Sequence, residues 1–196
     1  MTLEELTHQK FRHCFEIMSS ERFLNKETLS GEIPFWVSSY DIKASKFAEV
    51  EIKNLINKLT INGIKAVVID LFNLSCEIIE EKIGLEVMFS FEKKGKAKLL
   101  KALQSTINMH ERLIPSIVNK RDLVPDAKLI IIKGVGSVYP FIRSHTVLNN
   151  LQTAIKDIPT VMFFPGEYTG HALNLFGVLK DDNYYRAFNI DHQNIK

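Results

Sequence analysis

The chain has little cysteine, no long apolar run and almost no net charge, and each shortage argues against a class of protein. Cys14 and Cys76 are its only cysteines in 196 residues and form no CxxC pair, which argues against a disulfide scaffold and fits a reducing compartment. The apolar runs fall far short of the ~20 residues that a membrane helix needs. The start, MTLEELTHQKFRHCFEIM, is polar and amphipathic and lacks the apolar h-region of a secretory leader. A cytoplasmic protein is therefore expected. With 25 Lys+Arg against 23 Asp+Glu, the net charge of +2 carries neither a nucleic-acid footprint nor an acidic tail in its overall balance.

Complete catalytic motifs are also missing. Ala66-Val67-Val68-Ile69-Asp70 has the four-apolar-then-Asp pattern that holds Mg²⁺ in P-loop enzymes. The required G-x-x-x-x-G-K-[ST] partner loop is absent, because Ser38-Ser39-Tyr40-Asp41-Ile42-Lys43 contains no glycine. Gly95-Lys96 is followed by Ala97, where the metal-binding hydroxyl would stand. A strand-terminal Asp without that loop reads more simply as a helix-capping carboxylate. Gly134-Val135-Gly136-Ser137-Val138-Tyr139 starts like a dinucleotide fingerprint but has Tyr139 where the third glycine belongs. The six histidines make no HExxH and no Cys/His pair at metal spacing.

What the chain does have is alternation of strands and helices. Leu3, Leu6, Phe11, Phe15 and Met18 predict a helix from about Leu3 to Ser19, with a short piece from Glu21 to Asn25. Ile33 to Ser38 reads as the first strand. Lys43 to Asn62 reads as an amphipathic helix that presents Phe47, Val50, Ile52, Leu55, Ile56 and Leu59. Ala66 to Phe72 is apolar on both faces apart from Asp70, as befits a central parallel strand. A mostly helical insertion is expected from Leu74 to Asn119. Strands at Leu129 to Ile132 and Val161 to Phe164 flank a helix from Phe141 to Ile155. A closing hairpin is expected from Leu173 to Leu179 and Tyr184 to Ile190, turned by Lys180-Asp181-Asp182-Asn183. The sum is one three-layer α/β domain over residues 1–196, with a mainly parallel sheet of about five strands and a C-terminal hairpin. It is Rossmann-like, or P-loop-NTPase-like without the P-loop.

Three sets of residues could carry function. Arg143, close behind the Gly134 to Tyr139 turn, could meet an anion or a partner's carboxylate; the plainer reading is that the glycines only make the turn and Arg143 caps a carbonyl. Lys93, Lys94, Lys96, Lys98 and Lys101 form the densest positive run, either a solvated helix face or a phosphate-contacting patch. Tyr184, Arg186 and Phe188 share one face of the last expected strand, either as an interface or as core. A non-standard nucleotide or metal site would have to be assembled from Asp41, Asp70 and Glu167.

Three ordered segments carry a resemblance: Arg143-Ser144-His145-Thr146-Val147-Leu148-Asn149-Asn150-Leu151, Phe163-Phe164-Pro165-Gly166-Glu167-Tyr168 and Asp182-Asn183-Tyr184-Tyr185-Arg186-Ala187-Phe188. Together they resemble the BrxB family, the small B protein of bacterial BREX phage-exclusion systems, most sharply in the last third of the chain. The resemblance implies a non-enzymatic core subunit of an anti-phage defence complex. It implies a PglZ-type phosphatase-fold protein as the leading partner, with a BrxC-type ATPase and a PglX-type methyltransferase as further ones. It brings no catalytic residue, metal or cofactor with it. The expected contact surface is Arg143, His145, Glu167, Tyr168, Tyr184 and Arg186. A DNA-binding subunit using the lysine run is the alternative, and an enzyme with an unusual site a second one.

Overall fold

The computed structural model describes residues 1–27, 34–169, 172–181 and 187–193. Helix α1 (Leu3–Met18) opens with a capping box: Thr2 Oγ1 accepts from the Glu5 amide at 3.1 Å while Glu5 Oε2 accepts from the Thr2 amide at 2.7 Å, satisfying two donors that a helix start leaves unpaired. The short α2 (Glu21–Leu24) follows, then β1 (Phe35–Tyr40), a 3-10 turn (Ile42–Ala44) and α3 (Ser45–Ile61). Strand β2 (Ala66–Asp70) leads into four helices: α4 (Leu71–Lys82), α5 (Leu85–Lys93), α6 (Lys96–Ile107) and α7 (Ile114–Asp122). The order continues with β3 (Leu129–Lys133), α8 (Ser144–Ala154), the long β4 (Thr160–Tyr168), β5 (Leu173–Leu175), β6 (Leu179–Asp181) and β7 (Phe188–Asn189).

Five strands run parallel in the order β2-β3-β4-β1-β7. Their side chains alternate between two apolar layers, as the period of two requires. Phe35, Val37, Ile130, Ile132, Met162 and Phe164 pack with α4 to α8 on one face. Trp36, Leu129, Ile131, Val161 and Phe163 pack with α1, α2 and α3 on the other. This is the expected three-layer α/β architecture.

Helix α3 turns its face slightly from expectation. Val50 is 54% exposed, and Glu51 is buried instead, its Oε2 3.0 Å from His8 Nδ1. A helix repeat of 3.6 places residues 48, 52, 55 and 59 on one line, and Val50 lies off it.

The hairpin is tighter than its sequence suggests. Leu175 pairs with Leu179 and Leu173 with Asp181, so the turn is Phe176-Gly177-Val178 and not Lys180 to Asn183. Phe176 and Gly177 have φ of 59° and 72°, the left-handed pair that primed hairpin turns use. The polar run 180–183 looked like the turn, but residues 180 and 181 belong to β6. Of the strand expected from Tyr184 onward, Tyr184, Tyr185 and Arg186 lie outside the described residues, and Phe188–Asn189 is a strand. It is not the hairpin's second arm: it lies at the opposite side of β1, parallel to Trp36 and Val37.

Candidate partner-binding site

The carboxyl ends of parallel strands are where α/β proteins place ligands, so this edge is considered first. Asp70 and Lys133 end β2 and β3 in register. Lys133 Nζ reaches Asp70 Oδ2 at 2.9 Å and Glu49 Oε2 at 3.1 Å. Asp70 Oδ1 accepts from the amides of Phe72 and Asn73 at 3.0 and 3.1 Å, making it the N-cap of α4. Partial burial works against ionisation of Asp70, but the Lys133 hydrogen bond and the two amides outweigh it and hold the carboxyl below its ordinary range. Partial burial likewise works against the Lys133 charge, and bonds to Asp70 and Glu49 outweigh it and raise that amine. Both oxygens of Asp70 are thus engaged by the fold, which is the capping role.

The glycine-rich turn after β3 is closely approached by protein, and its Gly134, Gly136 and Ser137 also line a cavity of about 360 Å³ with Tyr40, Lys46 and Glu49. A Cβ on Gly134 would stand 2.9 Å from Asp70 Oδ1, and one on Gly136 would stand 2.8 Å from the Phe176 ring and 2.9 Å from Pro165. The hairpin therefore folds down onto the place where a dinucleotide's phosphates would approach. Gly166, with φ of 148°, allows it: a Cβ there would fall 2.1 Å from the Asn174 carbonyl oxygen. Beyond Gly166, β4 leaves the parallel sheet and pairs antiparallel with β5.

Besides the cavity at the glycine turn, two more flank the hairpin. The first, of about 420 Å³, lies between α1 and the ends of β1 and β4, and its lining includes Leu6, Asp41, Ile42, Glu167 and Tyr168. Asp41 and Glu167 share it; Asp70 does not line it. Asp41 Oδ1 is engaged by the Lys43 amide at 2.8 Å, and the Tyr168 hydroxyl donates to the Ala187 carbonyl. Among the described residues, no group of three or more His, Cys, Asp or Glu is placed to hold a metal ion.

The second cavity, of about 200 Å³, lies between the start of α8 and the outer side of the hairpin. Val135, Ile142, Phe164, Leu173 and Leu175 give it apolar walls, and Ser144 and Arg143 add polar surface. Arg143 stands at its edge as the N-cap residue of α8, with extended backbone. Its side chain is exposed and has no hydrogen-bond or ion-pair partner among the described residues, so it does not cap a carbonyl there. Beside it Val178 is 76% exposed, with Tyr139 and Leu179 each at 37%. Apolar side chains left in water around an unpaired guanidinium are the composition of an interface centre.

The expected contact residues therefore divide. Arg143 borders the second cavity, Glu167 and Tyr168 the first, and half-buried His145 has its Nε2 3.0 Å from Thr146 Oγ1. Tyr184 and Arg186 lie outside the described residues. Sequence reading passed over Val178 and Leu179; the signal for them was an apolar pair directly after Gly177, where a hairpin turn is normally polar.

The model of the family described as "BREX protein BrxB" matches residues 67–190. A BREX protein BrxB of Bacillus cereus (strain H3081.97) is 37% identical over 170 residues, covering 86% of this chain and 88% of the relative. The chain belongs to the BrxB family. A second BrxB, from Escherichia coli O9:H4 (strain HS), is 28% identical over 174 residues, covering 88% and 86%. No solved structure matches. The BrxB match runs from β2 to the 3-10 turn after β7, so it takes in the Arg143 cavity and the whole hairpin. Among the described residues no helix is long and apolar enough to cross a membrane.

Proposed function

We propose that this BrxB-family chain is a non-catalytic core subunit of a BREX anti-phage defence complex in the cytoplasm, and that it docks a PglZ-type protein. A BrxC-type ATPase and a PglX-type methyltransferase would join through that assembly. The observation that carries the reading is the unpaired Arg143 beside an apolar cavity bordered by exposed Val178 and Leu179. A partner side chain filling the cavity would bury apolar surface, and a carboxylate at its rim would pair with Arg143 in the bidentate geometry that guanidinium favours. The working groups along the sheet edge point the same way. Asp70 and Glu49 both pair with Lys133, and Phe176 and Pro165 stand close over Gly136, beside a cavity of about 360 Å³.

The test is copurification of the tagged chain with its PglZ-type protein, coexpressed and treated with nuclease. Arg143→Glu and Val178→Glu alter exposed side chains, so the fold should survive. Each is expected to weaken the complex by about 2 kcal/mol, roughly thirtyfold in Kd. If both variants retain the partner at wild-type yield, the docking surface lies elsewhere.

A further inference from the structure

Helices α5 and α6 form a packed pair joined by Lys94-Gly95, and the lysine run lies across it. Lys93, Lys94, Lys96, Lys98 and Lys101 are all exposed, and none has an ion-pair partner among the described residues. The Lys94 ammonium rests 5.0 Å from the centroid of the Phe91 ring. Between positions 93 and 101 the chain has no acidic residue. Lys96 and Lys98 occupy the first turn of α6, which has no acidic residue and no side-chain cap. That is the end of a helix where the aligned peptide dipoles disfavour cations. The chain thus gathers like charges where its own backbone opposes them, with Glu92, directly before Lys93, as the one acidic neighbour in sequence.

We propose that the α5–α6 pair is a binding surface for the phosphate backbone of nucleic acid. This does not depend on the docking surface at Arg143. The solvent face of α6 decides between a nucleic acid and an acidic protein. It consists of Ala97, Lys98, Lys101, Gln104 and Ser105, all exposed, while Leu99 and Leu103 turn inward against the core. No large apolar side chain to anchor a protein partner is fully exposed on that face of α6, which is bordered by half-buried Leu100; the exposed large apolar side chains of the pair are Val87 and Phe89 of α5. The α6 face has mobile point charges and small polar groups, which suit phosphates read without regard to sequence. Phe89 is 55% exposed and lies one turn before Lys93, on the same side of α5. Its ring adds a face on which an unpaired base can stack.

The experiment is fluorescence anisotropy of the full chain with a labelled duplex of about 20 bp, between about 50 and 200 mM NaCl. Binding is expected to be equal for two unrelated sequences and to weaken linearly in log K against log salt. Lys98→Glu with Lys101→Glu should lower affinity at least tenfold at low salt. Glutamine at all five lysines should flatten the salt slope by about 0.9 for each phosphate that is no longer neutralised. Lys53→Glu with Lys58→Glu, on the exposed side of α3 in the opposite layer, is the charge-matched control and should change affinity much less. Absence of binding at low salt would overturn the proposal, as would a control that loses as much. Polyglutamate bound as tightly as the duplex would overturn it in favour of an acidic protein partner.

Discussion

Cys14 has no exposed surface, and its Sγ lies 3.3 Å from Ser38 Oγ between α1 and β1. Asp191, from the 3-10 turn after β7, draws this pair into a small polar cluster. Its Oδ1 accepts from Ser38 Oγ at 3.4 Å, and its Oδ2 pairs with Lys10 Nζ at 2.7 Å. Burial first, and then the Asp191 charge, push the Cys14 thiol up to about 12. Half-buried Cys76 is also raised, by burial and then by Asp70 and Glu77. Only a thiolate attacks an alkylating reagent, so access separates the two. At about pH 8, iodoacetamide should label Cys76 slowly and leave Cys14 untouched until the chain unfolds, as read by mass spectrometry of peptides. Early labelling of Cys14 would show that the cluster opens in the native state. The sequence showed a serine in an apolar strand at position 38, but not what it meets. Its partners come from positions 14 and 191, and only folding brings those together.

At the level of elements, Asp70 joins three pieces of structure: it ends β2, caps α4 and pairs with Lys133 of β3. Asparagine caps a helix about as well as aspartate, so the two roles can be separated. Asp70→Ala is expected to cost about 1–2 kcal/mol at neutral pH, and Asp70→Asn less. The folded-state acidity of Asp70 lies below the ordinary value of 3.8. Its stabilisation is therefore present above that pH and disappears as pH falls through the folded value. Urea denaturation should show wild type and Asp70→Ala converging once the pH is below the folded value, and a gap that persisted there would refute the charge-based role. The sequence supported the capping role, because a lone strand-terminal Asp lacked its loop. The hairpin was less legible. Its turn depends on Phe176 and Gly177 sharing a left-handed backbone, and the polar residues at 180 to 183 gave a stronger compositional signal in the wrong place. Arg143 was legible as a candidate; the cavity beside it was not, because its walls come from α8, β4 and the hairpin.

Across the whole molecule, one sheet divides two apolar cores, and Trp36, the only tryptophan, reports on the side of α1 and α3. Leu148 is buried in the other core and Leu55 in the core of Trp36. Because β1, β3 and β4 contribute side chains to both cores, loss of one side should be felt by the other. Leu148→Ala and Leu55→Ala should each destabilise by about 2–5 kcal/mol. Both should shift a single urea transition seen alike by Trp36 fluorescence and far-UV circular dichroism. If Leu148→Ala moved the circular dichroism while leaving the tryptophan transition in place, the two cores would unfold separately.

Helix and strand type, the parallel character of the sheet and the family relationship were determined by the sequence alone. They rest on local periodicity and ordered short segments, which survive in one dimension. The tertiary structure decided the rest: the strand order β2-β3-β4-β1-β7, the Asp70–Lys133 pair, the closure of the glycine turn by Phe176, and the apolar cavity beside Arg143. Each joins residues far apart in the chain, and which distant groups meet is set by how the layers bury apolar surface together.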